Sequence, residues 1–259
     1  VFSKEIKDCV YDLNVVYSAS ALKASFEDEG INDEDLTDLV LLSGFGDLEV
    51  AVKIGGAEAN SDIVRCLRRG VVDIVAPLVE SSYAVRKFVN AAKTKSRALG
   101  VYDVGLHVNL ETKTAVANAK DIITDHKDSL RGVVVGRSDL SMSMGLQKAN
   151  VDDEDVMDCV RSVLCTAKKN GLMTTMGGTI SVKSVPHIIS LKRQGLLDRF
   201  ETRAVVFNIN TVDEHVLSNA ITKALEYEQL LLDQRAVYHK ARASELDSRV
   251  KSVEGRKND

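Results

Sequence analysis

Short, near-continuous runs of apolar and β-branched residues recur along this chain, with segments of helical periodicity between them. That alternation restricts it to an α/β architecture. The runs fall at 21–26, 49–54, 72–79, 105–111, 132–137, 172–176 and 203–209. A strand with no polar alternation is covered on both faces, as parallel sheets require. Between the runs, 62–69 places Ile63, Val64 and Leu67 on one side, and 153–168 does the same with Val156, Val160, Val163 and Leu164. Seven or eight such units predict a closed TIM (β/α)8-type barrel.

Only seven strands are visible. A helix carrying Ile6, Cys9, Val10, Leu13 and Val16 precedes the first of them. An eighth strand is therefore expected upstream of Val1, or the barrel departs from the usual count. The barrel is expected to occupy 1–210 and a long C-terminal helix 211–255. Thr211 and Glu214 have capping-box spacing, and Val216, Leu217, Ala220, Ile221, Ala224, Leu225, Leu231 and Leu232 continue an apolar stripe. No Pro or Gly interrupts it before Gly255. A barrel needs only a short final helix, so the excess is expected to pack on a partner subunit in a homo-oligomer. The alternative is a solvated helix that frays after Arg235.

Composition excludes several classes. With 44% hydrophobic and 28% charged residues, the chain reads as globular. A net charge of −4 argues against a general nucleic-acid surface. No apolar run approaches the length of a membrane helix, and nothing near Val1 reads as a secretory signal. Cys9, Cys66, Cys159 and Cys165 form no C-x-x-C pair; buried, reduced thiols and a cytoplasmic location are expected.

Two acids stand where a strand gives way to a loop: Glu111 in Asn109-Leu110-Glu111-Thr112, and Asp139 in Gly136-Arg137-Ser138-Asp139-Leu140. They lie 28 residues apart, about one strand-helix unit of a barrel. Adjacent parallel strands are about 4.8 Å apart, so both carboxylates can reach one hard cation, Mg²⁺ or Mn²⁺. The plain alternative is two ordinary loop acids. Gly177-Gly178-Thr179 offers backbone N–H groups that would suit a substrate carboxylate or phosphate, although any tight turn uses such a pair. Gly44-Phe45-Gly46 precedes a strand and fails as a dinucleotide fingerprint. His107 lies within a strand and reads as a core histidine, although its spacing also puts it on one strand face with Asn109 and Glu111.

The stretch from Val52 to Leu146 resembles the HpcH/HpaI aldolase and citrate-lyase β family of metal-dependent barrels. The resemblance rests on Val75-Ala-Pro-Leu-Val-Glu-Ser81, on Val108-Asn-Leu-Glu-Thr112 followed by Ala117-Asn-Ala-Lys-Asp-Ile122, and on Gly132-Val-Val-Val-Gly-Arg-Ser-Asp-Leu140 with Gly145. It implies that Glu111 and Asp139 are the metal ligands, which in the aldolases follow the fifth and sixth strands. Lys53 falls where the family usually has an Arg that polarises the substrate carbonyl; a lysine supplies the charge without the two-pronged grip. Arg137, with Gly136 and Ser138 beside it, is a candidate to clamp a substrate carboxylate. The family's acid-Glu-His segment is altered to Ser25-Phe26-Glu27-Asp28, leaving Glu27 or Asp28 as the acid/base.

The activity implied is a divalent-metal-dependent C–C lyase or aldolase acting on pyruvate, oxaloacetate or a related 2-oxo acid. Pro77-Leu-Val-Glu-Ser81 also resembles the citrate-lyase β pattern, which implies an acyl-thioester substrate instead. A barrel that has lost its base and serves as a binding or assembly module is the third reading.

Overall fold

The computed structural model describes residues 2–27 and 29–258. Strands β3 (Asp73–Ala76), β4 (Gly105–Asn109) and β5 (Gly132–Gly136) are buried at every residue, as expected of strands with a packed interior on one face and a ring of helices on the other. In chain order, α1 (Lys4–Val15) leads into β1 (Ala19–Ser25), α2 (Asp33–Ser43), β2 (Glu49–Lys53), α3 (Asn60–Arg68) and β3. Then follow α4 (Ser82–Leu99), β4, α5 (Lys113–Thr124), β5, α6 (Arg137–Ser143), α7 (Glu154–Lys169), β6 (Met173–Gly177) and α8 (Val185–Arg193). The chain ends with β7 (Arg199–Glu201), β8 (Val205–Asn208) and α9 (Leu217–Asn258).

The strands close into one barrel in sequence order. Strands β1 to β7 run parallel, but β8 is antiparallel to both β7 and β1. The closing strand is thus delivered by a hairpin, and closure needs no strand upstream of Val1. The strand that sequence reading overlooked is β7. It has three residues, two of them charged, and no apolar run. Phe200 and Phe207 face each other across the hairpin and stack with ring centroids 4.9 Å apart. Glu111 therefore follows the fourth strand and Asp139 the fifth. The count is one short of that in the aldolases because β8 fills the place between β7 and β1 where a parallel first strand would lie.

Helix-facing side chains such as Val52, Ile74, Val108, Val133 and Val135 belong to the main core. The barrel interior holds a separate small apolar cluster of Ala21, Ala51 and Val206, with polar residues above and below it. At the N-terminal ends of the strands, buried Asp73 meets Arg199 at 2.6 Å, Arg131 at 2.9 Å and His107 at 3.1 Å. His107 is a core residue facing away from the other end of the barrel. Cys9 and Cys66 are buried, Cys159 and Cys165 half-buried, and all four are free thiols.

Because β8 runs against its neighbours, α9 starts at the N-terminal end of the barrel and climbs back along the wall. Leu217, Ala220, Ile221, Ala224 and Tyr227 are buried there, so the first turns of α9 complete the core. At the opposite end Arg235 lies 3.5 Å from Asp35 in the first turn of α2. From Ala236 to Lys257 every residue is exposed. The expected capping box is not formed: the Thr211 hydroxyl donates to the Asn208 carbonyl, and Asp213 caps the following turn by accepting from His215 N–H.

Candidate active site

Each chemically interesting side chain sits where a strand ends and a helix cap begins. Thr112 caps α5 by accepting from Ala115 N–H, which stops β4 and leaves Glu111 at the turn. Gly136 ends β5, and a Cβ there would lie 2.5 Å from Glu111 Oε2. Asp139 follows in the first turn of α6. Lys53 ends β2, Ser25 ends β1 and Glu201 ends β7. All therefore gather at the C-terminal face of the parallel strands, the usual position of a barrel's active site.

They line one cleft of about 480 Å³. Of the residues singled out from sequence, it brings together Glu27, Lys53, Glu111, Gly136, Ser138, Asp139, Gly178 and Thr179. Asp28 lies outside the described residues. Gly177 does not line the cleft; its carbonyl accepts from Arg137 Nε at 3.1 Å. Gly178 has a φ of 84°, and a Cβ there would strike the backbone nitrogens of Arg137 and Ser138. Its role is close packing. Ser138 and Thr179 hydroxyls lie 2.7 Å apart and tie the two loops together.

Arg137 corrects the expectation of a substrate clamp. Its guanidinium is wholly buried and turned away from the cleft. It donates to the Gly178 carbonyl at 3.0 Å, to Asp152 Oδ1 at 2.5 Å and to Ser184 Oγ at 3.3 Å. These bonds fasten the loops after β5 and β6 to one another, leaving no prong for a ligand.

Glu111 is 2% exposed. Leu78 N–H donates to its Oε1 at 2.9 Å and Asn109 Nδ2 to its Oε2 at 2.5 Å. Leu78 is left-handed, with a φ of 49°, the kind of backbone strain that gathers at functional sites. Burial pushes the Glu111 carboxyl up to about 7, Lys53 and the Leu78 N–H oppose this, and Asp139 and Glu27 add to it. Lys53 is ion-paired to Glu27 Oε2 at 2.6 Å. Burial works against its charge, but Glu111, Glu27 and Asp139 together hold its pKa above the usual lysine value.

These features test whether a divalent cation suits the cleft. A buried carboxyl whose ionisation is opposed by burial and by the nearby Asp139 and Glu27 is the environment a cation relieves. The buried Asn109 Oδ1 beside Glu111 has no hydrogen-bond partner among the described residues. No group of three or more His, Cys, Asp and Glu converges among those residues. A cation would rest on two protein carboxylates and complete its shell with water or substrate, as Mg²⁺ does readily. The donor set fits.

Sequence reading missed the other half of the cleft. Lys23 and Glu201 form an ion pair across β1 and β7, and Leu225 and Glu228 reach in from α9. Burial raises the carboxyl pKa of both Glu29 and Glu228. The only sequence signal for β7 was its Phe200, and no residue pattern announces that a C-terminal helix returns to the catalytic face.

With this geometry in place, the chain was compared with known proteins. The family model for HpcH/HpaI aldolase/citrate lyase matches residues 44–185. The chain belongs to the HpcH/HpaI aldolase/citrate lyase family. The matched stretch contains Lys53, Glu111 and Asp139, whereas the altered Ser25–Glu29 segment and α9 lie outside it. A hydroxypyruvate/pyruvate aldolase from Rhizorhabdus wittichii is 25% identical in an alignment of 167 residues that covers 52% of this chain. The alignment spans 65% of that relative's length. An HpcH/HpaI aldolase/citrate lyase family protein from Burkholderia cenocepacia shares the fold with a TM-score of 0.62 and 16% identity, covering 93% of this chain and 92% of that one. The malate synthase of Haloferax volcanii in its magnesium/glyoxylate complex has a TM-score of 0.58 and 13% identity, over 76% of this chain and 65% of its own. Family membership makes this an aldolase/citrate-lyase-type barrel. Among the described residues no helix is long and apolar enough to cross a membrane.

Proposed function

We propose that this family member is a divalent-metal-dependent C–C lyase or aldolase acting on pyruvate, oxaloacetate or a related 2-oxo acid. One observation carries the reading: Glu111 and Asp139, at the ends of adjacent strands, line one cleft with Lys53. The two acids would hold Mg²⁺ or Mn²⁺, which when bound supplies Lewis-acid polarisation of the substrate carbonyl. The name of the Rhizorhabdus relative supports the 2-oxo acid, and the magnesium in the malate synthase complex supports the metal.

The chain's own groups supply the rest. Lys53 places an ammonium on a different strand from either acid, where it neutralises negative charge developing on a substrate oxygen. Its ion pair with Glu27 fixes where that charge sits. A base must take a proton from the carbon next to the carbonyl, and Glu27 occupies the cleft for that purpose. Glu29 joins it as a second candidate, since burial moves its carboxyl toward the pH at which proton transfer is efficient.

Exchange of pyruvate methyl hydrogens with deuterated water, followed by NMR, tests the reading before any acceptor is known. With Mg²⁺ or Mn²⁺ the protein should exchange them faster than buffer. Lys53→Met should slow exchange while calorimetry still registers the metal, and Glu111→Gln or Asp139→Asn should abolish metal binding. Glu27→Gln and Glu29→Gln, compared side by side, identify the base. No exchange of pyruvate or 2-oxobutyrate with metal demonstrably bound would overturn the 2-oxo acid assignment.

A further inference from the structure

We propose that the free half of α9 pairs with the same segment of a second copy of this chain as a parallel, in-register, two-stranded coiled coil. The observation is a seam on a helix that has left its barrel. Leu232, Ala236, His239, Ala243, Leu246, Val250 and Val253 follow one another at alternating steps of four and three residues. That is the a/d repeat of a left-handed coiled coil. The lower seam is open to solvent: Leu246, Val250 and Val253 are 49%, 55% and 43% exposed. Val250 at an a position and Leu246 at a d position are the side-chain shapes that favour two strands.

The flanking charges name the occupant and its direction. With that register, the g positions are Arg235, Arg242, Arg249 and Arg256, and the e positions are Asp233, Lys240, Asp247 and Glu254. In a parallel pair each g residue meets the e residue five positions later on its partner. Arg242 then meets Asp247 of the second copy, and Arg249 meets Glu254 of the second copy. The one like-charged combination, Arg235 with Lys240, falls where Arg235 is already drawn to Asp35 of its own barrel. In an antiparallel pair g faces g and e faces e, setting arginine against arginine along the whole seam. Charge therefore favours the parallel arrangement, and an identical chain supplies the complement to both Arg242 and Arg249. Arg242 also reaches Glu245 of its own helix at 2.8 Å, a solvent-facing contact that the new pair would replace.

This surface is independent of the chemistry proposed for the cleft. Sedimentation of the full chain across a concentration series should show a reversible dimer. Arg242→Glu with Arg249→Glu places acid against acid in the parallel pair and should convert the dimer largely to monomer. Adding Asp247→Arg and Glu254→Arg to that variant restores opposite charges in a parallel pair only, and should bring the dimer back. Circular dichroism on each variant checks that the barrel and helix persist; all four positions are exposed, so folding should not change. The proposal is overturned if the parent is monomeric at every concentration, if the double variant remains dimeric, or if the fourfold variant is helical yet stays monomeric.

Discussion

Asn109 Nδ2 donates to Glu111 Oε2 at 2.5 Å while Asn109 Oδ1, buried in the same place, meets no partner among the described residues. The amide thus fixes one oxygen of the buried Glu111 and leaves an acceptor beside it. Replacing Asn109 by Ala removes a charge-assisted bond worth about 1.5–3 kcal/mol. Asn109→Ala should lower the thermal midpoint, and it should weaken Mn²⁺ binding by about 10- to 100-fold, as loss of an outer-shell partner commonly does. Calorimetry and thermal denaturation on the same preparation check both.

Arg137 should matter to stability before it matters to substrate. Arg137→Met breaks a buried ion pair with Asp152 and frees the Gly178 carbonyl, a change that costs about 3–5 kcal/mol when one partner is left charged. Asp152 is partly exposed, so the lower end is expected. A variant of unchanged stability with a raised KM alone would return Arg137 to the role of substrate clamp.

Asp73 makes a pH prediction at the far end of the barrel. Burial raises its carboxyl pKa, but His107 and Arg199 outweigh that and hold it well below the usual carboxylate range. A depressed folded-state value stabilises the protein above the unfolded value of about 3.9 and loses that contribution as pH falls toward the folded value. Asp73→Asn should be clearly less stable than the parent at pH 7, and the gap should narrow below about pH 4. Denaturant midpoints at a series of pH values give the curve; a gap independent of pH would show that the cluster holds by packing alone.

The two halves of α9 should respond oppositely to truncation. Ending the chain after Asn210 removes Leu217, Ile221 and Tyr227 from the core, each large side chain being worth about 2–5 kcal/mol, so the barrel should not fold. Ending it after Arg235 removes, among the described residues, only exposed side chains and should leave the thermal midpoint within a few degrees. A cooperative transition in the shorter chain would refute the packing described for the first turns.

How much of this was legible beforehand differs from element to element. Runs such as 132–137 declare themselves because a strand buried on both faces has no room for polar residues. The acids Glu111 and Asp139 stood out because strand ends and their spacing are local properties. β7 escaped because three residues with charges at both ends carry no periodicity, and its strand character comes only from pairing with β6 and β8. Arg137 was misjudged because its neighbours in sequence face the cleft, whereas its own partners lie in the loop near Asp152 and after β6. The Lys23–Glu201 pair joins residues 178 apart, a contact that only barrel closure creates.

The reversal of β8 has a geometric sequel. In an all-parallel barrel the final helix runs away from the face where substrates enter, and any tail leaves by the back. Here the last helix travels forward and passes the rim at Arg235. Its free part then extends roughly 35 Å into solvent at the usual helical rise. The arm therefore stands on the side of the open mouth. Two copies paired in parallel along it, as proposed above, would open their clefts toward the same side, beside the shared arm.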